Sequence, residues 1–299
     1  MDKDIHDNDK APEILYKYFP PTFPSGGLVP YFEVSNTIRF TQPSVLNDVY
    51  ECLPSFENAD FTKGLKTTTN TSREMDEILN NKSLQAYGKK IPYPKRRRIK
   101  AQGKAKLKRK IRNDPETEEE HWVKKFPDFL DGSLGILSMT KLWNSAAMWG
   151  YYAQNCTGFV LGFKSRHAAV NIYPMAQVSY KAKRHLYKGG PIYEDTPENQ
   201  QQLMDIIKRK NKSWKHEKEW RLFTAPGALM DTGVKMGPEK LPILVATFPF
   251  DSLAEVVLGI KMEPIIKSKI LEQLPPDIPA YQAKINPRSY DLDREIIER

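Results

Sequence analysis

From Lys89 to Arg112 the chain runs KKIPYPKRRRIKAQGKAKLKRKIR, 24 residues with 13 Lys or Arg and no acid. Charge at that density repels itself and is rarely buried, so any core must be assembled from the segments on either side. The whole chain carries a net charge of +9, and with thirteen positive charges placed here the remainder carries −4. The acidic stretch NDPETEEE follows at once and is positioned to fold back over the run as a counterweight. Lys95, Arg96, Arg97, Arg98, Lys100, Lys108, Arg109 and Lys110 attract phosphate backbones by releasing condensed counterions, with Tyr87 and Tyr93 beside them as stacking surfaces. Nucleic acid is the expected partner, RNA ahead of DNA because single strands expose their base edges. The competing readings are a solvated, mobile insert and, for PKRRRIK in a eukaryotic protein, a nuclear-import signal.

With 299 residues and 39% hydrophobic content the rest can bury a sizeable core. No stretch approaches the roughly 18 to 20 apolar residues of a membrane span, and MDKDIHDNDKAPE lacks the regions of a secretory signal, so no membrane partner and a cytoplasmic location are expected. Cys52 and Cys156 make neither a disulfide framework nor a metal quartet, and the five histidines have no ligand spacing, so no metal is expected. The organisation that follows is a single core over residues 13–299, a polar and basic insertion at 61–126 containing one helical stretch (SREMDEILNN), and a disordered tail at 1–12.

Strand-like stretches occur at Ile14–Phe19, Thr37–Thr41, LGILSM, FVLGF, a segment ending at Val178–Tyr180, EWRLFT, PILVATF and EVVLGI. Asn144 is placed to cap a helix through SAAMWGYYAQ, and Thr196-Pro197 opens another whose Leu203, Ile206, Ile207 and Lys210 share a face. MEPIIKSKILEQL closes the chain as a helix. The fold class is α+β. The common dinucleotide, phosphate-loop, zincin and hydrolase motifs are missing, as is any internal repeat.

Three clusters remain for chemistry. Leu15-Tyr16-Lys17-Tyr18 lies on the opening strand and is followed by PSVLNDVYEC, where Asn47 and Asp48 read equally well as a structural turn. Ser138 and Thr140 share one face of a strand leading to the helix of Trp149, Tyr151 and Tyr152, aromatics that also fit a core. Trp214 to Arg221, read as a strand, places Glu217, Glu219 and Arg221 on one side. That side is either an ion-pair ladder facing solvent or a carboxylate held to stabilise positive charge developing on a sugar.

In this order, Leu15–Tyr18, Pro43–Glu51, Ser138–Thr140, Met148–Ala153 with Gly158-Phe159, and Trp214–Arg221 resemble the bacterial domain-of-unknown-function 2971 family. The chain departs from the pattern at Tyr151, where the family usually has histidine, at the turn Val45–Tyr50, which lacks its Phe and Pro, and at His216, which takes an aromatic position. The motif order is also similar to that of ADP-ribosyltransferases. That resemblance implies a split mixed or antiparallel sheet flanked by helices, forming a cleft for NAD. Glu219 would be catalytic and Glu217 would orient or deprotonate the acceptor. Tyr16, Lys17, Ser138, Thr140, Tyr151, Tyr152 and Arg221 would meet the cofactor. It further implies a toxin or phage-defence effector acting on nucleic acid and held in check by an antitoxin or chaperone. Two alternatives stand beside it: a non-catalytic nucleic-acid-binding module using the basic run, and a Mg²⁺-dependent nuclease built on Asp48, Glu51 and Glu219.

Overall fold

FVLGF is apolar at almost every position, the pattern of a strand covered on both faces, and it becomes β4 (Phe159–Lys164), with every residue but the last buried. In this computed structural model, which describes residues 11–24, 26–57, 59, 115–188, 196–236 and 240–299, β4 sits within an eight-stranded mixed sheet. The sheet order is β13-β12-β11-β4-β1-β3-β8-β5. Its members are β1 (Ile14–Phe19), β3 (Gly135–Thr140), β5 (Met175–Gln177), β8 (Glu219–Thr224), β11 (Leu253–Leu258), β12 (Ala280–Ile285) and β13 (Leu292–Ile296). All pairings are antiparallel except β11 with β12, whose crossover is helix α5 (Pro264–Gln273). A second sheet orders β2 (Thr37–Phe40), β10 (Leu241–Thr247) and β9 (Met230–Met236), and a two-stranded parallel ribbon pairs β6 (Ser179–Lys181) with β7 (Arg209–Asn211).

Strand alternation sorts the large sheet into two faces. Leu15, Phe19, Leu137, Met139, Phe159, Leu161, Phe163, Trp220 and Leu222 face one core, with Ile38 and Phe40 of the second sheet, Phe248 just after β10, and Ile266 and Ile270 of α5. The opposite parity, Tyr16, Tyr18, Val160 and Val257, packs with Met148 and Trp149 of helix α2 (Ala146–Tyr152). Tyr18 meets Trp149 edge-on at 5.5 Å. Ser138, Thr140, Glu219 and Arg221 have this second parity, which places a polar row beneath α2.

The sheet is not uniformly laddered. β1 pairs with β4 through six residue pairs, from Ile14↔Lys164 to Phe19↔Phe159, whereas β1 joins β3 through the single pair Tyr16↔Thr140. Lys17 fills the resulting gap, its ammonium donating to the Ser138 main-chain oxygen at 2.9 Å.

Two glycines permit the chain to cross itself where β4 begins and β11 ends. A Cβ on Gly158 would lie 2.0 Å from the Phe19 carbonyl oxygen, and one on Gly259 would lie 2.3 Å from that of Cys156. The Gly259 amide donates to the Gly158 oxygen at 2.9 Å, so neither backbone can retreat without breaking this contact. Gly158→Ala is therefore expected to lose about 3 kcal/mol, the upper end for overpacking, read as a lower urea midpoint.

The described chain divides into two compact units. The sheets above belong to the first, which comprises residues up to Cys52, Phe129–Lys183 and Lys208–Arg299. The second comprises Leu53–Asp128 and Arg184–Ile207. It includes most of helix α1 (Pro115–Ser133), a bridge between Ser55 and Leu186, and helix α4 (Pro197–Ile207). Within it Phe56 packs edge-on against Phe126 and Tyr187, each at 5.6 Å. Residues 1–10 of the tail expected at 1–12, the SREMDEILNN helix and the run from Lys89 to Arg112 lie outside the described residues.

Four expectations need correction. Trp214–Arg221 is not one strand: Lys212–Glu217 winds as a 3-10 turn, and Lys218 takes a left-handed conformation (φ 48°) that ends it before β8 starts at Glu219. Asn211 nucleates that turn, its side-chain oxygen accepting from the Ser213 amide at 3.0 Å. Lys210 belongs to β7 rather than to the preceding helix, and Ser145, not Asn144, occupies the N-cap of α2. The segment expected to end at Val178–Tyr180 is two strands, β5 and β6, separated at Val178.

Candidate active site

Glu219 is the first residue of β8, directly opposite Thr140 of β3, and its amide donates to the Tyr180 hydroxyl at 2.8 Å. Two residues on, with its side chain on the same face, Arg221 donates from Nε to Glu219 Oε1 at 2.8 Å and from Nη2 to Oε2 at 3.3 Å. This fork grips both carboxylate oxygens and fixes the acid's plane. Arg221 is fully buried, and its Nη2 also contacts Glu51, while Nη1 lies 3.8 Å from Cys52 Sγ. Glu51 and Cys52 reach this position because the loop after the 3-10 turn Pro43–Val45 folds inward, with Cys52 at φ 56°.

Lys210 is the second buried cation. Its Nζ stands 2.7 Å from Glu217 Oε2, 3.1 Å from Glu219 Oε2 and 3.4 Å from Glu51 Oε1, and it lies over the Trp214 ring at 5.0 Å from the centroid. Glu217 comes from the end of the 3-10 turn rather than from a strand, yet it converges on Glu219 through this shared lysine. Its other oxygen accepts from the Tyr152 hydroxyl, which in turn accepts from Asn47 Nδ2 at 2.7 Å. The Thr140 hydroxyl donates to the Glu217 main-chain oxygen at 2.6 Å and fixes the turn against β3.

Glu51, Glu217 and Glu219 thus balance Lys210, Arg221 and the nearby Lys17 in formal charge, nearly all of it out of water. Burial raises the Glu219 carboxyl, and Lys210 and the Ser138 hydroxyl pull it back. Burial opposes charge on Lys210 too, but Glu219 and Glu217 outweigh it and hold the ammonium above its ordinary value. Burial brings the Arg221 guanidinium down to about 9, which still leaves it charged at neutral pH. The buried Cys52 thiol is pushed far up and is no nucleophile at neutral pH. Among the described residues no group of three or more His, Cys, Asp or Glu is placed to hold a metal, and between the three glutamates stands Lys210.

Lys17 differs from the other cations. Part of its side chain remains exposed, but its ammonium is sunk in the seam, and burial lowers its pKa from 10.5 to about 8 against the pull of Glu219. The unfolded chain therefore binds this proton more tightly than the folded one, so between those values Lys17 makes stability rise with pH. Lys17→Met is expected to flatten that rise, which urea midpoints of both proteins across pH 8 to 10.5 will show.

Above this cluster opens a pocket of about 190 Å³. Its walls include Tyr16, Tyr18, Tyr152 and Met148, and its polar lining comprises Lys17, Ser138, Thr140, Lys210, Glu217 and Glu219, with Asn47 among the residues at its rim. Ligand pockets for drug-sized molecules run to about 300–1,000 Å³, so this one suits a single ring or a small polar moiety. Of the residues singled out from sequence, Tyr16, Lys17, Ser138, Thr140, Tyr152, Glu217 and Glu219 meet here. Tyr16 is partly diverted, donating its hydroxyl to Glu255 at 2.8 Å, a residue also paired with Arg294. Arg221 lies beneath the lining, and Tyr151 points outward with 68% of its surface exposed. The eight basic-run residues from Lys95 to Lys110 lie outside the described residues. Lys210 was not among the residues singled out for the site; the sequence placed it at the end of a helical face, and the structure puts it in β7.

Fold and site together define an α+β protein with a small pocket floored by a buried, charge-balanced cluster of glutamate, lysine and arginine. Residues 148–222, which begin within helix α2 and hold the Tyr180 and Lys210 ribbon and Glu217–Arg221, match the family described as "Protein of unknown function (DUF2971)". The similarity to that family read from the motifs is thereby shown over this stretch. No curated protein and no solved structure matches the chain. No helix among the described residues is long and apolar enough to cross a membrane.

Proposed function

We propose that the pocket cleaves the nicotinamide–ribose bond of NAD and transfers ADP-ribose to a nucleic-acid acceptor. The observation that carries this reading is the Glu219 carboxylate, clamped by Arg221 at the floor of a pocket sized for one ring and walled by tyrosines. The nicotinamide of NAD is a planar cation, and aromatic faces with carboxylates beneath suit such a ring. As the C–N bond breaks, its electron pair leaves with the nicotinamide nitrogen, and positive charge develops on the ribose carbon and ring oxygen. A fixed carboxylate stabilises that charge, as in glycoside hydrolysis. The acceptor oxygen or nitrogen then bonds to the ribose carbon and gives up its proton, for which Glu217, hydrogen-bonded to Tyr152, is the second carboxylate in the pocket lining. The rest of the dinucleotide would extend beyond the pocket. The gap at the β1–β3 joint supports the split-sheet, transferase-like arrangement within this proposal.

One observation favours a second reading, a non-catalytic nucleic-acid-binding module: both Glu219 oxygens are already occupied by Arg221 and Lys210, as in a structural brace. Desolvating so many charges is costly, and an apolar core would serve a brace as well, which favours the catalytic reading. Incubation with labelled NAD and, separately, total RNA, DNA and cell protein decides between them. Label on nucleic acid with stoichiometric nicotinamide release supports the transferase. Absence of both, with nucleic acid still bound, leaves the binding module. Co-purification of a neutralising protein would add the toxin role.

A further inference from the structure

The turn that delivers Glu217 also builds a surface outside the pocket. In a 3-10 helix residues three apart eclipse one another, so Lys212–Glu217 has three distinct edges. Trp214 and Glu217 form the inward edge, the tryptophan half-buried over Lys210 and the glutamate buried. Lys212 and Lys215 form a second edge, continued by Lys218, and Ser213 and exposed His216 form the third. The Trp214 and His216 rings are stacked, with centroids 6.2 Å apart and planes 29° apart. Exposed Tyr151 of α2 completes the group at 6.4 Å from each. It adjoins Tyr152, whose hydroxyl enters the pocket. From Lys208 to Lys218 the only acid is the buried Glu217.

We infer that Tyr151, Trp214 and His216, edged by Lys212, Lys215 and Lys218, form a stacking platform for a base of single-stranded nucleic acid at the mouth of the pocket. Exposed aromatic faces bind bases with little regard to sequence, and flanking lysines track the phosphates. An acidic peptide would use the lysines but has no planar group for the three rings, and a duplex keeps its bases stacked internally. The platform is built from residues that lie outside the Lys89–Arg112 stretch in sequence. It deepens the acceptor side of the proposed function, and its test uses no transfer step, so failure of either reading leaves the other standing.

The test uses the full chain and a twelve-nucleotide oligouridylate carrying one 4-thiouridine, photo-crosslinked and mapped by mass spectrometry. Crosslinks at Tyr151, Trp214 or His216 are expected, together with about tenfold weaker binding by Trp214→Ala at fixed salt. The Lys212→Glu, Lys215→Glu variant should reduce the slope of log affinity against log salt by about 1.4, two phosphate contacts on a single strand. Crosslinks confined to Lys89–Arg112 overturn the platform, as do crosslinks at the platform that excess NAD removes without binding of the oligonucleotide itself being weakened by Trp214→Ala. Mapping on the unaltered protein keeps the test decisive should Trp214→Ala fail to fold.

Discussion

Glu219→Gln is expected to keep the fold and to lower ADP-ribose transfer by at least about a hundredfold, the effect of removing one electrostatic stabiliser of a developing charge. The geometry explains why these two outcomes separate. Glutamine preserves shape, so the Arg221 fork retains one good acceptor in place of two. Each buried cation also keeps another carboxylate: Arg221 retains Glu51, and Lys210 retains Glu217 at 2.7 Å. The cluster becomes more positive by one charge, which lowers the melting temperature without unfolding the chain. The ribose charge, by contrast, has no substitute, because Glu217 approaches through Lys210 and Tyr152 and not from the position of Glu219. Single-turnover nicotinamide release and a thermal melt on the same preparation measure both. Transfer undiminished in a folded variant would remove Glu219 from the mechanism.

Arg221→Met should be the most destabilising single change in the site, at about 3–5 kcal/mol, the range for breaking a buried ion pair from one side. Arg221, like Lys210, contacts both Glu51 and Glu219, but it holds Glu219 by two donors, and its own surface is fully buried. Its removal leaves those carboxylates to Lys210, which already serves Glu217. The surplus charge must be neutralised by protonation, so the loss should shrink as pH falls and the glutamates take up protons. Adding Glu219→Gln to Arg221→Met should cost less than the sum of the two singles, because the second change removes one of the charges that the first stranded. Urea denaturation of both singles and the double gives the coupling directly, and strict additivity would show the pair to be energetically independent.

The large sheet was legible where its strands had unambiguous patterns. ILYKYF, LGILSM, FVLGF, EWRLFT and EVVLGI are short apolar runs, and each is a strand in the structure. The elements that escaped detection have mixed patterns: β9 reads MDTGVKM, β12 AYQAKI and β13 LDREI, with polar or charged residues on a partly exposed face. Their pairing comes from neighbours rather than from local preference. In the site, the motif order suggested the family, and the match over residues 148–222 agrees with it, whereas the meeting of the Tyr16, Ser138 and Glu219 motifs in one pocket followed only from the resemblance and is seen in the structure. Lys210 and Cys52 were not visible in the same way. One lies in KRKNK, which reads as a solvated lysine run, and the other carries no signal until the loop turns it against Arg221. The reading of Trp214–Arg221 as a strand failed because alternation of Glu217, Glu219 and Arg221 looks identical whether or not a turn intervenes. Only the left-handed Lys218 separates the cases.

The joint between β1 and β3 sets the mechanical character of the molecule. Six residue pairs unite β1 with β4 and six unite β3 with β8, but one ladder pair joins the two blocks, with the Lys17 and Tyr18 side chains donating across the joint to the Ser138 and Leu142 main-chain oxygens. The ladder of the sheet is therefore thinnest along this line, on which the pocket opens. Widening the pocket to admit a ligand asks little of the backbone, since almost no ladder must be undone. Glu219 rides on β8, while the aromatic wall on β1 is anchored through Tyr16 to Glu255 and through Tyr18 to the Leu142 main-chain oxygen, so a ligand that widens the pocket must draw on the short β1–β3 ladder rather than on these side chains.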